Sequence, residues 1–183
     1  MSILKIVRLG HPALRTKSKL VSERDLKSRD FQNFLDDLTE TCVKYNGAGI
    51  AAPQVDVNKR VIVVHVDPTN PRYPGQKPFP LTIVINPKVV KKSKSTEEGW
   101  EADLSASIKA SVPRHKEVVV TGIDRFGNPL KFKLSGFHAR VFQHEIDHLD
   151  GIFWTYRVKH KETISELPEW EKYWKGKKIA KKM

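Results

Sequence analysis

Cysteine is almost missing from this chain: Cys42 stands alone among 183 residues. An intrachain disulfide is therefore excluded, and a reducing compartment is the natural expectation. Cys42 is also the sole thiolate that could serve a metal. It lies in an amphipathic helical pattern, where a thiol behaves as a small apolar side chain. Long apolar runs are missing too. No stretch approaches the roughly 20 residues of a transmembrane helix, so no membrane association is expected. The opening residues MSILKIVR (1–8) have neither an apolar signal core nor a small-residue cleavage site, so no targeting segment is expected. Acids are in deficit, with 21 Asp and Glu against 33 Lys and Arg and a net charge of +12. Such a surface attracts polyanions. Residues 172–183 hold six lysines and no acid. They read either as a solvated tail or as a contact for RNA, a ribosome or an acidic surface. No RNP, KH or zinc-finger spacing occurs, so specific DNA recognition is not expected.

What the chain does have is HExxH inside QHEIDHLDG (143–151). On a helix, His144 and His148 lie one turn apart on the same face, where both imidazoles can reach one metal ion. The glutamate beside the first histidine, Glu145, can activate a water. Phe137, Val141, His144 and His148 follow a helical stripe, Ser135 can cap it, and Gly151 falls just past its end. A surface helix with incidental His and Glu is the alternative that this motif alone leaves open.

In chain order, GHP at 10–12 marks a turn in an extended N-terminal arm. Ser28 and Asp30 can cap a helix running to about Tyr45, with Phe31, Phe34, Leu35, Leu38, Cys42 and Tyr45 as its apolar stripe. GAGIAAPQ (47–54) follows, where glycines permit close backbone approach. From the residues alone, Gln54 reads as a solvated end to that connection. Arg60 to Val66 is β-rich, and its His65 reads as structural. Residues 67–80 hold five prolines and form a surface loop that looks like an insertion. A second strand at 81–87 is expected to stop at Asn86-Pro87, with 88–90 continuing after the bend and 91–98 polar. Val118 to Val120 and Leu130 to Leu134 form an antiparallel hairpin around the turn DRFGNP (124–129). Ile152, Phe153 and Tyr156 suggest a short strand, and Pro168 opens a Trp- and Lys-rich helix or tail. Strands clustered between helices indicate α+β. One domain over 1–168 and a basic C-terminal tail over 169–183 are expected, as a monomer.

Three segments together resemble the peptide deformylase family. GAGIAAPQ (47–54), EADLS (101–105) and QHEIDHLDG (143–151) match its three motifs in order, and INP (85–87), EEGW (97–100) and VPR (112–114) match its flanking pieces. The resemblance implies a central HExxH helix packed within antiparallel β-sheets. It implies a metal-dependent amidohydrolase that removes the N-formyl group from the initiator methionine of nascent peptides during translation. Its substrates would be N-formylmethionyl peptides, in bacterial cytoplasm or in a mitochondrion or other bacterium-derived organelle. By matching positions, His144 and His148 are metal ligands and Glu145 is the general base. Gln54 and the backbone N–H of Leu104 stabilise the oxyanion, Gly49 holds the peptide backbone, and Ala48, Phe137 and Val141 shape the methionine pocket. One divalent ion is implied, Fe2+ or Zn2+, with Ni2+ or Co2+ able to substitute.

The departure lies in the middle motif. Where the family supplies a cysteine thiolate, this chain has Asp103, preceded by Ala102 in place of glycine. A carboxylate is a legitimate third ligand beside two histidines. It is harder than a thiolate and reaches one atom further, so the ion, the strand or a water should shift. Residues 105–111 are one short of the family pattern, and Lys109 falls near a position where the family often has a substrate-binding arginine. Arg114 can pair with Glu101. Two other readings follow from these changes: a weak or inactive relative that binds nascent chains or ribosomes through the basic tail, and a hydrolase with altered acyl specificity.

Overall fold

The computed structural model describes residues 2–177. A 3-10 turn (Pro12–Arg15) and α1 (Glu23–Lys27) lead to α2 (Arg29–Lys44). Ser28 starts α2 by accepting the Phe31 N–H at 3.3 Å, which satisfies one of the four free donors at a helix start. The strands are β1 (Gly49–Ala51), β2 (Val61–Val66), β3 (Phe79–Lys92), β4 (Thr96–Asp103), β5 (Ala106–His115), β6 (Glu117–Ile123), β7 (Pro129–Ser135) and β8 (Ser165–Glu166). α3 (Gly136–Leu149) carries HExxH, and α4 (Leu167–Tyr173) comes last.

Two antiparallel sheets form. One has the order β1-β2-β3-β6-β7, the other β4-β5-β8. α2 packs Phe31, Leu35, Leu38 and Cys42 against Val61, Val63 and Ile85 on one face of the larger sheet. α3 packs Val141, Phe142, Ile146 and Leu149 against Ile62, Val64, Val84, Val118 and Val120 on the other face. This division follows from the alternation of β2, whose successive side chains point to opposite faces. Every residue of α3 from Ala139 to Leu149 is buried. The HExxH helix is thus enclosed on all sides by the two sheets, which excludes the incidental surface helix.

The α+β class, α2, α3 and the β6–β7 hairpin agree with the sequence reading. Other elements do not. β3 runs through Asn86-Pro87 instead of stopping there, because Asn86 takes φ of 53° and the ladder shifts register between Ile85 and Lys88. The bend suits an asparagine, which tolerates the left-handed region. Its side chain also clamps the N-terminal arm, accepting the Val21 N–H and donating to the Val21 carbonyl, both at 2.9 Å. β4 begins at Thr96, inside the stretch expected to be a polar connection. β5 was not expected, because its inward positions include small residues, Ala106 and Ala110, that give a weak alternation. Trp154–Arg157 is a 3-10 turn rather than a strand. The expected boundary at 168 falls inside α4, where Trp170 packs edge-on against Trp100 at 5.8 Å.

Asn86→Ala removes two hydrogen bonds of about 1 kcal/mol each and places alanine at a left-handed φ at about another 1 kcal/mol. Urea denaturation should therefore show a loss of about 2–3 kcal/mol. Asn86→Asp keeps the acceptor for Val21 and the left-handed preference, and should lose clearly less.

Candidate metal centre

Three side chains from two elements converge at the centre of the fold. His144 and His148 come from α3, and Asp103 ends β4. Asp103 Oδ2 lies 3.2 Å from His144 Nε2 and 2.8 Å from His148 Nε2, and all three donor groups lie within 4.8 Å of one another. Ligands around a tetrahedral ion with bonds near 2.0–2.1 Å sit about 3.3 Å apart. The first distance already suits such an ion, and the second needs Asp103 to retreat by a few tenths of an ångström. His148 supplies an independent sign. Both its ring nitrogens are buried without a hydrogen-bond partner among the described residues. Its Nε2 is close to Asp103 but turned out of line for a hydrogen bond, as expected of a nitrogen aimed at a shared cation. The donor set fits one divalent ion.

Glu101 fixes the first histidine. Its carboxylate meets His144 Nδ1 at 2.9 Å and accepts two hydrogen bonds from Arg114, at 2.9 and 2.8 Å, and one from Arg140 at 2.7 Å. A carboxylate on the far ring nitrogen sets the tautomer and aims the other nitrogen at the metal. Arg114 also pairs with Asp147 on α3, and Arg140 donates to the carbonyls of Val112 and Glu97. Gly99 makes room for this: a Cβ there would meet Arg140 Cζ at 2.7 Å. The Glu101–Arg114 pair agrees with the sequence reading. The bond from Glu101 to His144 and the roles of Arg140 and Asp147 were not foreseen. The available signal was Arg140, four residues before His144 on the same helical face.

Burial would raise the Glu101 carboxyl, but Arg114 and His144 hold it well below the usual carboxylate range. Burial would also raise Asp103, and the two histidines more than reverse this. Burial alone would lower His144, yet its bonds to Asp103 and Glu101 push it up to about 10 in the metal-free site. A divalent ion would replace that proton.

Gln54 is buried, not solvated. Its Oε1 accepts the Ala51 N–H at 2.8 Å, so its Nε2 must face the other way, where it donates to Asp103 Oδ1 at 2.8 Å. The Ser105 N–H reaches the same oxygen at 2.6 Å. Asp103 therefore presents one oxygen to the histidines and holds Gln54 with the other. The Leu104 N–H bonds to no protein group among the described residues. Glu145 is buried with one carboxylate oxygen unpaired. A Cβ on Gly49 would meet Glu145 Oε1 at 2.6 Å and Cγ at 2.8 Å, so this glycine makes space for that side chain. Ala48 and Val141 share one apolar cluster, with Phe137 and Tyr73 packed against it. Tyr73, whose ring centroid lies 5.2 Å from that of Phe137, was missed because it sits in the Pro-rich loop. Lys109 is not drawn into the cluster of ligands. Its ammonium lies 3.5 Å from the centroid of the Trp170 ring of α4, and burial lowers it to about 8.

A buried HExxH helix with a carboxylate opposite and an unpaired glutamate beside it defines a metal-dependent hydrolase. A sequence model of the polypeptide deformylase family matches residues 3–163. Peptide deformylase 2 of Nostoc sp. is 44% identical, over 90% of this chain and 91% of its own. Peptide deformylase 2 of Pseudomonas putida is 37% identical over 86% and 88%. Among solved structures, a class I type b peptide deformylase from Acinetobacter baumannii superposes with a TM-score of 0.83 at 34% identity, covering 87% of this chain and all of its own. Another crystal structure of that enzyme, bound to Met-Ala-Ser, has a TM-score of 0.82 at 35% identity over 86% of this chain. This chain belongs to the polypeptide deformylase family.

Burial pushes the Glu145 carboxyl up from 4.5 to about 7 in the metal-free protein, against the pull of His144 and His148. Below pH 4.5 the carboxyl is neutral in folded and unfolded chains and has no effect. As pH rises towards 7, the unfolded chain releases this proton first, so folded stability falls. Above 7 the loss is complete, at about 3 kcal/mol. Metal-free Glu145→Gln should thus be more stable than its parent at pH 8 by about that amount in urea titrations. The gap should close at pH 4; a gap independent of pH would contradict this origin.

Proposed function

We propose that this chain removes the formyl group from the N-terminal methionine of nascent peptides, with His144, His148 and Asp103 holding one divalent ion. The convergence of those three donors beside the unpaired Glu145 carries the reading. Two histidines and a carboxylate suit hydrolytic zinc and ferrous iron, and nickel or cobalt can substitute. A bound ion of this kind supplies Lewis-acid polarisation and eases deprotonation of water.

The chain's own residues supply the remainder. Glu145, buried beside the histidine pair with an unpaired carboxylate oxygen, takes a proton from the attacking water and returns it to the leaving amine. The Leu104 N–H and the second Nε2 hydrogen of Gln54 donate to the formyl oxygen as it gains charge. Asp103 aims that carboxamide through its Oδ1, an oxygen separate from the one that faces the histidines, whereas a thiolate would have to serve both with one sulfur. β1 is an edge of its sheet, so an extended peptide can add beside Gly49 through main-chain hydrogen bonds. Ala48, Phe137 and Val141, joined by Tyr73, offer an apolar wall to the methionine side chain. Lys109, held by Trp170 on the same hairpin as Asp103, is the residue this reading assigns to the peptide beyond its methionine.

Bacterial cytoplasm or a bacterium-derived organelle is the compartment this substrate requires. A ribosome contact through the basic tail is part of the same reading. Residues 178–183, which carry half of its lysines, lie outside the described residues. Salt-sensitive pelleting with ribosomes that disappears on truncation after Lys177 would support that contact.

Metal-reconstituted protein should release formate from formyl-Met-Ala-Ser. Glu145→Ala should lower the rate by about 10²- to 10⁴-fold with metal content unchanged. No formate above that variant with iron, nickel, cobalt and zinc would sink the proposal, and release of acetate instead would redirect it to another acyl group. Asp103→Asn keeps the shape but removes the charge, so it should lower metal stoichiometry after dialysis; an unchanged stoichiometry would remove Asp103 from the ligand set.

A further inference from the structure

The face of the large sheet that α2 covers extends beyond α2. Ile85 and Ile123, paired across β3 and β6, mark the last part of it packed under that helix. Past them the ladder sets Lys88 opposite Thr121 and Thr121 opposite Lys131. It also sets Lys91 opposite Val119 and Val119 opposite Lys133. Directly paired residues point to one side of a sheet, as do residues two apart. All four lysines therefore share this face. The alternate residues Val118, Val120 and Leu134 point inward to α3.

All four lysines are exposed. Among the described residues, the lysines that form ion pairs are Lys59 and Lys175 instead. The four Cα positions span about 10 Å across three strands and about 7 Å along them, from strand spacing and rise. Glu117 is the one acid on these rows. It lies at their far end, beside a groove of ≈ 480 Å³ that Lys91, Lys92 and Lys133 also line.

The chemistry of this face selects its partner. Four unneutralised cations on one sheet face, two of them lining the groove, complement a polyphosphate. The residues between them, Val119 and Thr121, are β-branched and partly covered. Val119 lines the groove, but Lys91, Lys92 and Lys133 around it give that groove a cationic rim and no aromatic anchor of the kind that holds a protein partner. The rows carry no aromatic ring on which unpaired bases could stack; the exposed Phe126 belongs to the hairpin turn beyond them. We propose that this lysine face binds the phosphate backbone of double-stranded RNA, without sequence preference. The choice of RNA rests on the proposed action on nascent peptides, because RNA is the polyanion where such substrates emerge. The face is separate from both the metal centre and the C-terminal lysines.

The test is binding of a 20-base-pair RNA duplex to metal-loaded full-length protein between 50 and 200 mM KCl, read by fluorescence anisotropy. Each phosphate contact contributes about 0.9 to the slope of log affinity against log salt. Lys88→Gln, Lys91→Gln, Lys131→Gln and Lys133→Gln combined should reduce that slope by about 3 to 4, with formate release unchanged. The same four positions changed to arginine should restore it. Truncation after Lys177 should leave the increment due to the four lysines intact. An equal slope in the glutamine variant would overturn the proposal. So would binding to phosphatidylserine vesicles that matches the duplex and shows the same lysine dependence. If the fourfold variant fails to fold, the two pairwise variants decide, each expected to reduce the slope by about 2. Loss of formate release in the unaltered protein, with RNA binding retained, would refute the proposed activity and not this face.

Discussion

The buried carboxylate of Glu101 is the constraint on which the rest of the centre depends. It ends three cationic or protonatable groups at one point: Arg114, Arg140 and His144. Arg114 lies on β5 and the other two on α3, so a single side chain of β4 ties the small sheet to the HExxH helix. A buried charge of this kind is tolerated only when fully paired, and loss of one partner typically costs about 3–5 kcal/mol. Its pairing is complete enough to hold it ionised despite burial. The same bond that satisfies Glu101 fixes the ring of His144. Structural need and metal-site geometry are thus met by one interaction.

Two residues further along β4, Asp103 makes a second junction. Its Oδ2 faces the histidine pair and its Oδ1 takes Gln54 and the Ser105 N–H. A thiolate would have to meet both demands with a single sulfur, while the carboxylate divides them between two oxygens. The aspartate therefore changes more than ligand hardness. It makes the position of the carboxamide depend on the ligand. Because misplacement near 1 Å can lower rates about a hundredfold, this coupling sets how well the site tolerates the longer side chain.

Much of the fold could be read from the chain because periodicity reported burial. α2 and α3 carry helical stripes, and Leu130, Phe132 and Leu134 alternate as a strand should. β5 could not be read this way, since Ala106 and Ala110 fill tight space with little hydrophobic signal. β3 was cut short because Asn-Pro usually ends a strand, whereas here Asn86 bends it and holds Val21. At the site, the histidines and Glu145 stood out through local spacing, and Asp103 and Gln54 through family motifs. Of the partners of Glu101, Arg114 could be read from the chain, but His144 and Arg140 could not, because they lie on another element, 43 and 39 residues away in sequence. Burial of Gln54 was equally hidden: the Ala51 N–H that donates to it is local, but Asp103, which accepts from it, comes from the other sheet. Lys109 matched a substrate-binding position by sequence alone, and only the placement of Trp170 on α4 showed what holds its ammonium.

We propose that Asp103 completes the metal site with a carboxylate at the position where the family resemblance places a thiolate. X-ray absorption at the metal edge of the reconstituted protein tests it most directly. The expected result is a shell of nitrogen and oxygen alone at about 2.0–2.2 Å, with the imidazole pattern of two histidines and no sulfur. Replacing Asp103 by alanine should reduce that shell. A sulfur scatterer near about 2.3 Å, which only Cys42 or a methionine could supply, would contradict the account, as would a shell unchanged in the variant.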